Sequence, residues 1–201
     1  MKNIYLSGIL LFAISVSLSA QLIPGDKAAQ FTLKNVDSKM VSLSDYEDNK
    51  GVILVFICNP CPFSRAYEQR IINIHNFYAP KGYPVVAINP NDETLSPDDT
   101  FMKMQKRSEE KKYPFPYLKD AKQDVFRAYG ATRIPHIYLL ENDNGTFRVA
   151  YIGAIDNNAM DSKDVSKRYL EKAIAKLIKG EDPDPAEVKA IGCTIKAKKK
   201  M

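Results

Sequence analysis

Cys58-Asn59-Pro60-Cys61 sets two thiols three residues apart, where an apolar run, Gly51 to Ile57, gives way to a polar helical pattern. A helix start leaves backbone N–H groups unpaired and carries partial positive charge, so a thiolate there is stabilised and its pKa is expected to fall. A second cysteine one helical turn on can attack the mixed disulfide formed by the first and release the partner. The spacing therefore predicts Cys58 as the attacking sulfur and Cys61 as the resolving one. Pro60 suits the first turn of such a helix, where a missing N–H costs nothing. A bridge closing so small a loop constrains the unfolded chain very little, so the pair reads as a redox switch rather than a staple.

Arg133-Ile134-Pro135-His136 is the second informative run. A proline there cannot donate to a sheet ladder and belongs at a strand start or edge. A cis Pro135 opposite the cysteines would leave the backbone of Ile134 free to pair with an extended substrate, which makes Ile134 and Pro60 the expected substrate-binding positions. Cys193 has two readings, a free thiol on a tail or a third redox thiol that takes the disulfide from Cys58. His136 reads first as a strand-start histidine; the alternative is a soft copper or zinc site made with Cys58 and Cys61. On the leading reading there is neither metal nor cofactor. His75 reads as packing, and Tyr67, Glu68 and Arg70 as the exposed face of the first long helix, with Glu68 facing Arg65 or Arg70.

The elements that must position these groups follow from periodicity. Phe31 to Leu33 and Val41 to Leu43 alternate as a short hairpin. Val52 to Phe56 is an uninterrupted apolar run, the mark of a strand covered on both faces. Cys61 to Tyr78 has helical spacing, and Tyr83 to Ile88 is a second strand, so the pair should be parallel with a right-handed crossover. Asn89 to Pro114 is an insertion holding a charged surface helix, Phe101 to Lys112. Gln123 to Tyr129 reads as a short helix capped by Gly130. Ile137 to Leu140 and Phe147 to Ile152 are strands joined by Asn144-Gly145, a strong hairpin signal. Val165 to Lys179 reads as an amphipathic helix. The expected architecture is α/β, a mixed central sheet flanked by helices.

The chain has 201 residues, 45% of them hydrophobic and 26% charged, with a net charge of +5, as in an ordinary globular domain. Lysines spread along the sequence, apart from Lys196 and Lys198 to Lys200, give no basic module for nucleic acid. Lys2 followed by the apolar stretch Ile4 to Leu18 and small residues to Ala20 reads as an export signal. The other reading, a membrane anchor, meets a stretch shorter than the ~20 residues a spanning helix needs. Residues 1–20 are thus expected to be a signal peptide, 21–180 the domain and 181–201 a tail carrying Cys193.

The order strand, Cys-x-x-Cys helix, strand, helix, Ile-Pro strand, Asn-Gly hairpin and final helix resembles the thioredoxin fold over roughly Phe31 to Lys179. Cys58-Asn59-Pro60-Cys61-Pro62-Phe63, followed by Ala66-Tyr67-Glu68 and Arg70 and later by Gly192-Cys193-Thr194-Ile195-Lys196, resembles exported bacterial redoxin-domain proteins, the AhpC/TSA-like thioredoxin family. That resemblance implies a Cys58 nucleophile, a resolving Cys61 and a cis Pro135. The chain departs from thioredoxins proper: it has no tryptophan, and Val52 to Val55 carries no buried acid for proton transfer. Peroxiredoxins need Thr or Ser three residues before the peroxidatic cysteine; Val55 precedes Cys58 and Cys58 precedes Cys61, so thiol peroxidase is a minor reading. The reading is a periplasmic or otherwise extracytoplasmic thiol-disulfide oxidoreductase acting on protein thiols and disulfides. It leans towards a reductant recharged by a membrane-borne electron donor, with a metallochaperone as the alternative.

Overall fold

The structure is a computed structural model, described here for residues 21–199; the expected export signal lies outside them. In chain order the strands and helices are β1 (Thr32–Asn35), β2 (Met40–Ser42), β3 (Gly51–Phe56), α1 (Pro62–Tyr78), β4 (Val85–Asn89), α2 (Phe101–Lys111), β5 (Tyr117–Lys119), α3 (Asp124–Tyr129), β6 (Arg133–Ile134), β7 (His136–Asp143), β8 (Thr146–Gly153), α4 (Tyr169–Ile178) and β9 (Cys193–Thr194).

Seven strands form one mixed sheet in the order β2-β1-β5-β4-β3-β7-β8. Strands β3, β4 and β5 run parallel, and β7 returns antiparallel beside β3. The expected β3-α1-β4 unit is therefore present. The hairpin β1-β2 joins the edge through β5, with Lys34 opposite Lys119. Asn144 and Gly145 both take positive φ, 50° and 86°, as a two-residue turn between β7 and β8 requires.

Alternation along β3 divides its side chains between two cores. Ile53 and Val55 point to a layer formed with Tyr67, Ile71 and Ile74 of α1, Met104 of α2 and Leu170, Ile174 and Leu177 of α4. Val52, Leu54 and Phe56 face the other layer with Val125, Phe126 and Tyr129 of α3, and both Cys58 and Cys61 lie in it. Burying each large aliphatic or aromatic side chain contributes about 1.5–3 kcal/mol, so β3, buried along its whole length, is a firmly anchored platform. The thiols sit at its C-terminal end.

Two helices differ from expectation. The first begins at Pro62 rather than in the Cys58-Cys61 run, with Cys61 as its N-cap, so Pro62 and not Pro60 holds the first-turn position. The last begins at Tyr169, because Ser162–Asp164 forms its own turn and Val165 is extended. The C-terminal segment is not a loose tail: Ile152 N–H donates to Ala186 O (3.0 Å), Val188 N–H donates to Ile152 O (2.9 Å), and β9 pairs antiparallel with β6. Among the described residues no helix is long and apolar enough to cross a membrane.

Candidate active site

The polypeptide leaves β3 at Phe56, turns through residues 57–60 and enters α1 at Cys61. Cys61, as N-cap, stands against the partial positive charge of a 17-residue helix. Its sulfur is disulfide-bonded to Cys193 on β9, with a Cα–Cα distance of 6.2 Å. The Ile134-Pro135 peptide bond is cis. Cys61 Sγ lies 3.4 Å from the carbonyl oxygen of Ile134, so the proline edge and the helix mouth meet at this sulfur.

Cys58 is the free thiol of the described residues, and it is buried at 4% exposure. Its pKa does not fall as the helix-mouth reading expects. Burial, and then the negative charge of Asp99, push it up to about 12, against the backbone N–H of Cys61, the side chain of Asn91 and the more distant Arg107, which favour the thiolate. The reason is position: the helix begins four residues later, with its N-cap at Cys61, so the dipole is centred on Cys61 and desolvation dominates at Cys58.

A polar network missing from the sequence reading holds this loop. Asp99, fully buried, accepts from Asn59 N–H and Asn89 Nδ2 at Oδ1 (2.8 Å each), and from Asn91 Nδ2 (2.8 Å) and Ser96 Oγ (2.6 Å) at Oδ2. Tyr117 OH donates to Asn59 Oδ1 (3.0 Å), and Lys119 Nζ donates to the carbonyls of Asn91 (2.7 Å) and Asp99 (2.8 Å). The insertion is thus a clamp on the thiol loop. The dense Asn, Asp and Ser content of residues 89–99 was the available signal, but locally it reads as turn and cap chemistry.

Other expected residues lie elsewhere. Pro60 is half-buried in the turn before α1. Tyr67 is buried rather than on an exposed face, and its OH donates to Asp156 Oδ1 (2.9 Å). Arg70 pairs with the same carboxylate. Glu68 faces neither Arg65 nor Arg70 but Arg107 and Lys111 of α2, and it accepts from Tyr113 OH (2.8 Å). Arg65 Nε donates to Asn59 O (2.9 Å). His75 accepts from Val85 N–H at Nδ1 (3.2 Å) and rests on Phe115.

His136 is buried, accepts from Thr132 N–H at Nδ1 (3.3 Å), and burial lowers its pKa to about 4. With Cys61 bonded to Cys193, the alternative metal set of Cys58, Cys61 and His136 is not assembled. Among the described residues no group of three His, Cys, Asp or Glu is placed to hold a metal ion.

The model of the AhpC/TSA family matches residues 24–152. The chain belongs to that family. Its fold is thioredoxin-like. The crystal structure of an uncharacterised conserved protein from Geobacillus kaustophilus is similar at 34% identity and a TM-score of 0.83, covering 90% of this chain and 95% of that one. The thiol-disulfide oxidoreductase ResA of Geobacillus thermodenitrificans is 27% identical over 150 residues, 73% of this chain and 76% of the relative. A protein of Mycobacterium tuberculosis described as a putative peroxiredoxin is 28% identical over 162 residues, 80% of this chain and 94% of the relative.

Proposed function

We propose that this enzyme, a thioredoxin-like thiol-disulfide oxidoreductase, exchanges with protein disulfides through Cys61, with Cys193 as the thiol that resolves the exchange. The observation that carries this reading is the Cys61-Cys193 bond, seated at once on the N-terminus of α1 and beside the cis Ile134-Pro135 bond. In the reducing direction the Cys61 thiolate attacks one sulfur of a substrate disulfide and expels the other as a thiolate. The Cys193 thiolate then attacks Cys61 Sγ, and the second substrate sulfur leaves. Two electrons pass to the substrate and the Cys61-Cys193 disulfide remains.

Cys58 is reserved as an internal thiol, since a group protonated up to about 12 is a poor attacking sulfur at neutral pH. The direction we assign is that of a reductant, recharged by a membrane-borne electron donor in an extracytoplasmic space; the apolar N-terminal stretch supports the compartment, and the similarity to a thiol-disulfide oxidoreductase supports the exchange chemistry. Peroxide reduction has less support, because Val55 is buried in β3 and offers no hydroxyl below Cys58. Insulin disulfide reduction tests the proposal: Cys61→Ala should abolish turnover, and unchanged turnover would overturn it.

A further inference from the structure

The Ile134 edge that would receive a substrate strand is already occupied by the protein's own chain. Strand β9 lies antiparallel on it with Cys193 opposite Ile134 and Thr194 opposite Arg133. Three side-chain positions define how the segment fits. Gly192 lies so close that an added Cβ would come within 2.0 Å of Ile134 O and 2.6 Å of its carbonyl carbon, both backbone atoms that cannot swing aside. Cys193 delivers its sulfur to Cys61. Ile195, 8% exposed, enters the core layer that holds both cysteines of the loop.

Anchors flank the segment on both sides. Upstream, residues 186 and 188 are tied to Ile152. Downstream, Lys196 N–H donates to Asn91 Oδ1 (2.8 Å), Asp92 N–H (2.9 Å) and Gln123 Nε2 (3.0 Å) donate to Lys196 O, and Lys198 N–H donates to Gln123 Oε1 (2.9 Å). These backbone and side-chain hydrogen bonds hold the thiol-bearing strand as a strap in addition to the disulfide. Backbone pairing with pockets for alternate side chains is how an added strand is recognised.

Resting on Cys61 as the exchanging sulfur, we infer that the Arg133–Ile134 edge is a docking groove for an extended protein segment of the form Gly-Cys-x-aliphatic, that residues 192–195 fill it as a built-in competitor, and that a partner strand reaches Cys61 only by displacing them. Glycine before the cysteine is demanded by the approach to Ile134 O, and the aliphatic residue by the Ile195 site.

The test uses the full, reduced chain in a Cys193→Ser background and two peptides, Gly-Cys-Thr-Ile-Lys and Ala-Cys-Thr-Ile-Lys, each carried as a mixed disulfide with glutathione. Cys61 thiolate attacks the peptide sulfur, the Cys61-peptide bond forms, and glutathione leaves as its thiolate, so electrons balance within the exchange. Glutathione release gives the rate and mass spectrometry identifies the adduct. Adding Gly192→Ala, or separately Ile195→Ala, should lift the strap and speed the glycine peptide by about tenfold or more. With the strap lifted, the glycine peptide should outpace the alanine peptide by a similar factor, about 1.4 kcal/mol in barrier. Equal rates for the two peptides, or no acceleration in either strap variant while glutathione disulfide still modifies Cys61, would overturn the inference and leave the proposed role of Cys61 standing. Failure of glutathione disulfide itself to modify Cys61 would overturn both.

Discussion

Asp99 acts on the thiol loop in two opposed ways. Its carboxylate holds Asn59 N–H and so fixes the turn that carries Cys58, while its charge disfavours the Cys58 thiolate. A thiol whose pKa is raised from 9.0 to about 12 stays protonated through neutral pH, and its thiolate fraction grows about tenfold per pH unit until that pKa is passed. Asp99→Asn keeps the side-chain shape and removes the charge, so the Cys58 pKa should drop and the iodoacetamide profile should move to lower pH. The measurement belongs in a chain with Cys61→Ser and Cys193→Ser, so that Cys58 is the reacting thiol. A loop loosened only enough to admit the reagent, with Cys58 still out of water, would raise the rate equally at every pH, because burial, the larger cause of the raised pKa, would be unchanged. A uniform rise without a shift would therefore contradict the electrostatic role.

At the scale of elements, α1 is fastened on both flanks by charges that sequence spacing did not pair. Arg70 reaches Asp156 and the carbonyls of Asn158 (2.7 Å) and Ala159, tying α1 to the loop before α4. Glu68 reaches Arg107, tying α1 to α2, with side-chain exposures of 11% and 16%. Removing one partner of a well-buried pair typically costs ~3–5 kcal/mol because the other charge stays desolvated. Lys111 still faces Glu68 when Arg107 is lost, so Arg107→Ala should lower the urea unfolding free energy by about 2–3 kcal/mol. A loss under about 0.5 kcal/mol, the size of an exposed pair, would show that the two helices do not depend on this contact. Helical neighbours at i+3 and i+4 are what a sequence exposes; Glu68 and Arg107 are brought together only by the insertion folding back over α1.

For the whole molecule, the platform was legible and the wiring of its sulfurs was not. The apolar run of β3, the Asn144-Gly145 turn, the β3-α1-β4 unit and the Ile134-Pro135 edge each leave a local pattern, because periodicity and turn chemistry act over a few residues. The partner of Cys61 depends on how residues 181–199 return across the sheet, contacts separated by 132 positions in the case of Cys193. The thiol-loop clamp has the same character: Asn59 and Asp99 are 40 residues apart. A two-residue strand such as β9, with no alternation to display, cannot announce where it docks.

Everything proposed for the site turns on Cys61 forming its internal disulfide with Cys193 and leaving Cys58 as a buried thiol. Mapping the cysteines of the oxidised, unfragmented protein tests it most directly, by trapping free thiols with iodoacetamide in denaturant and identifying linked peptides by mass spectrometry. The expected result is a peptide containing Cys61 joined to one containing Cys193, with the alkyl label on Cys58. A Cys58-Cys61 bridge with the label on Cys193 would contradict the account.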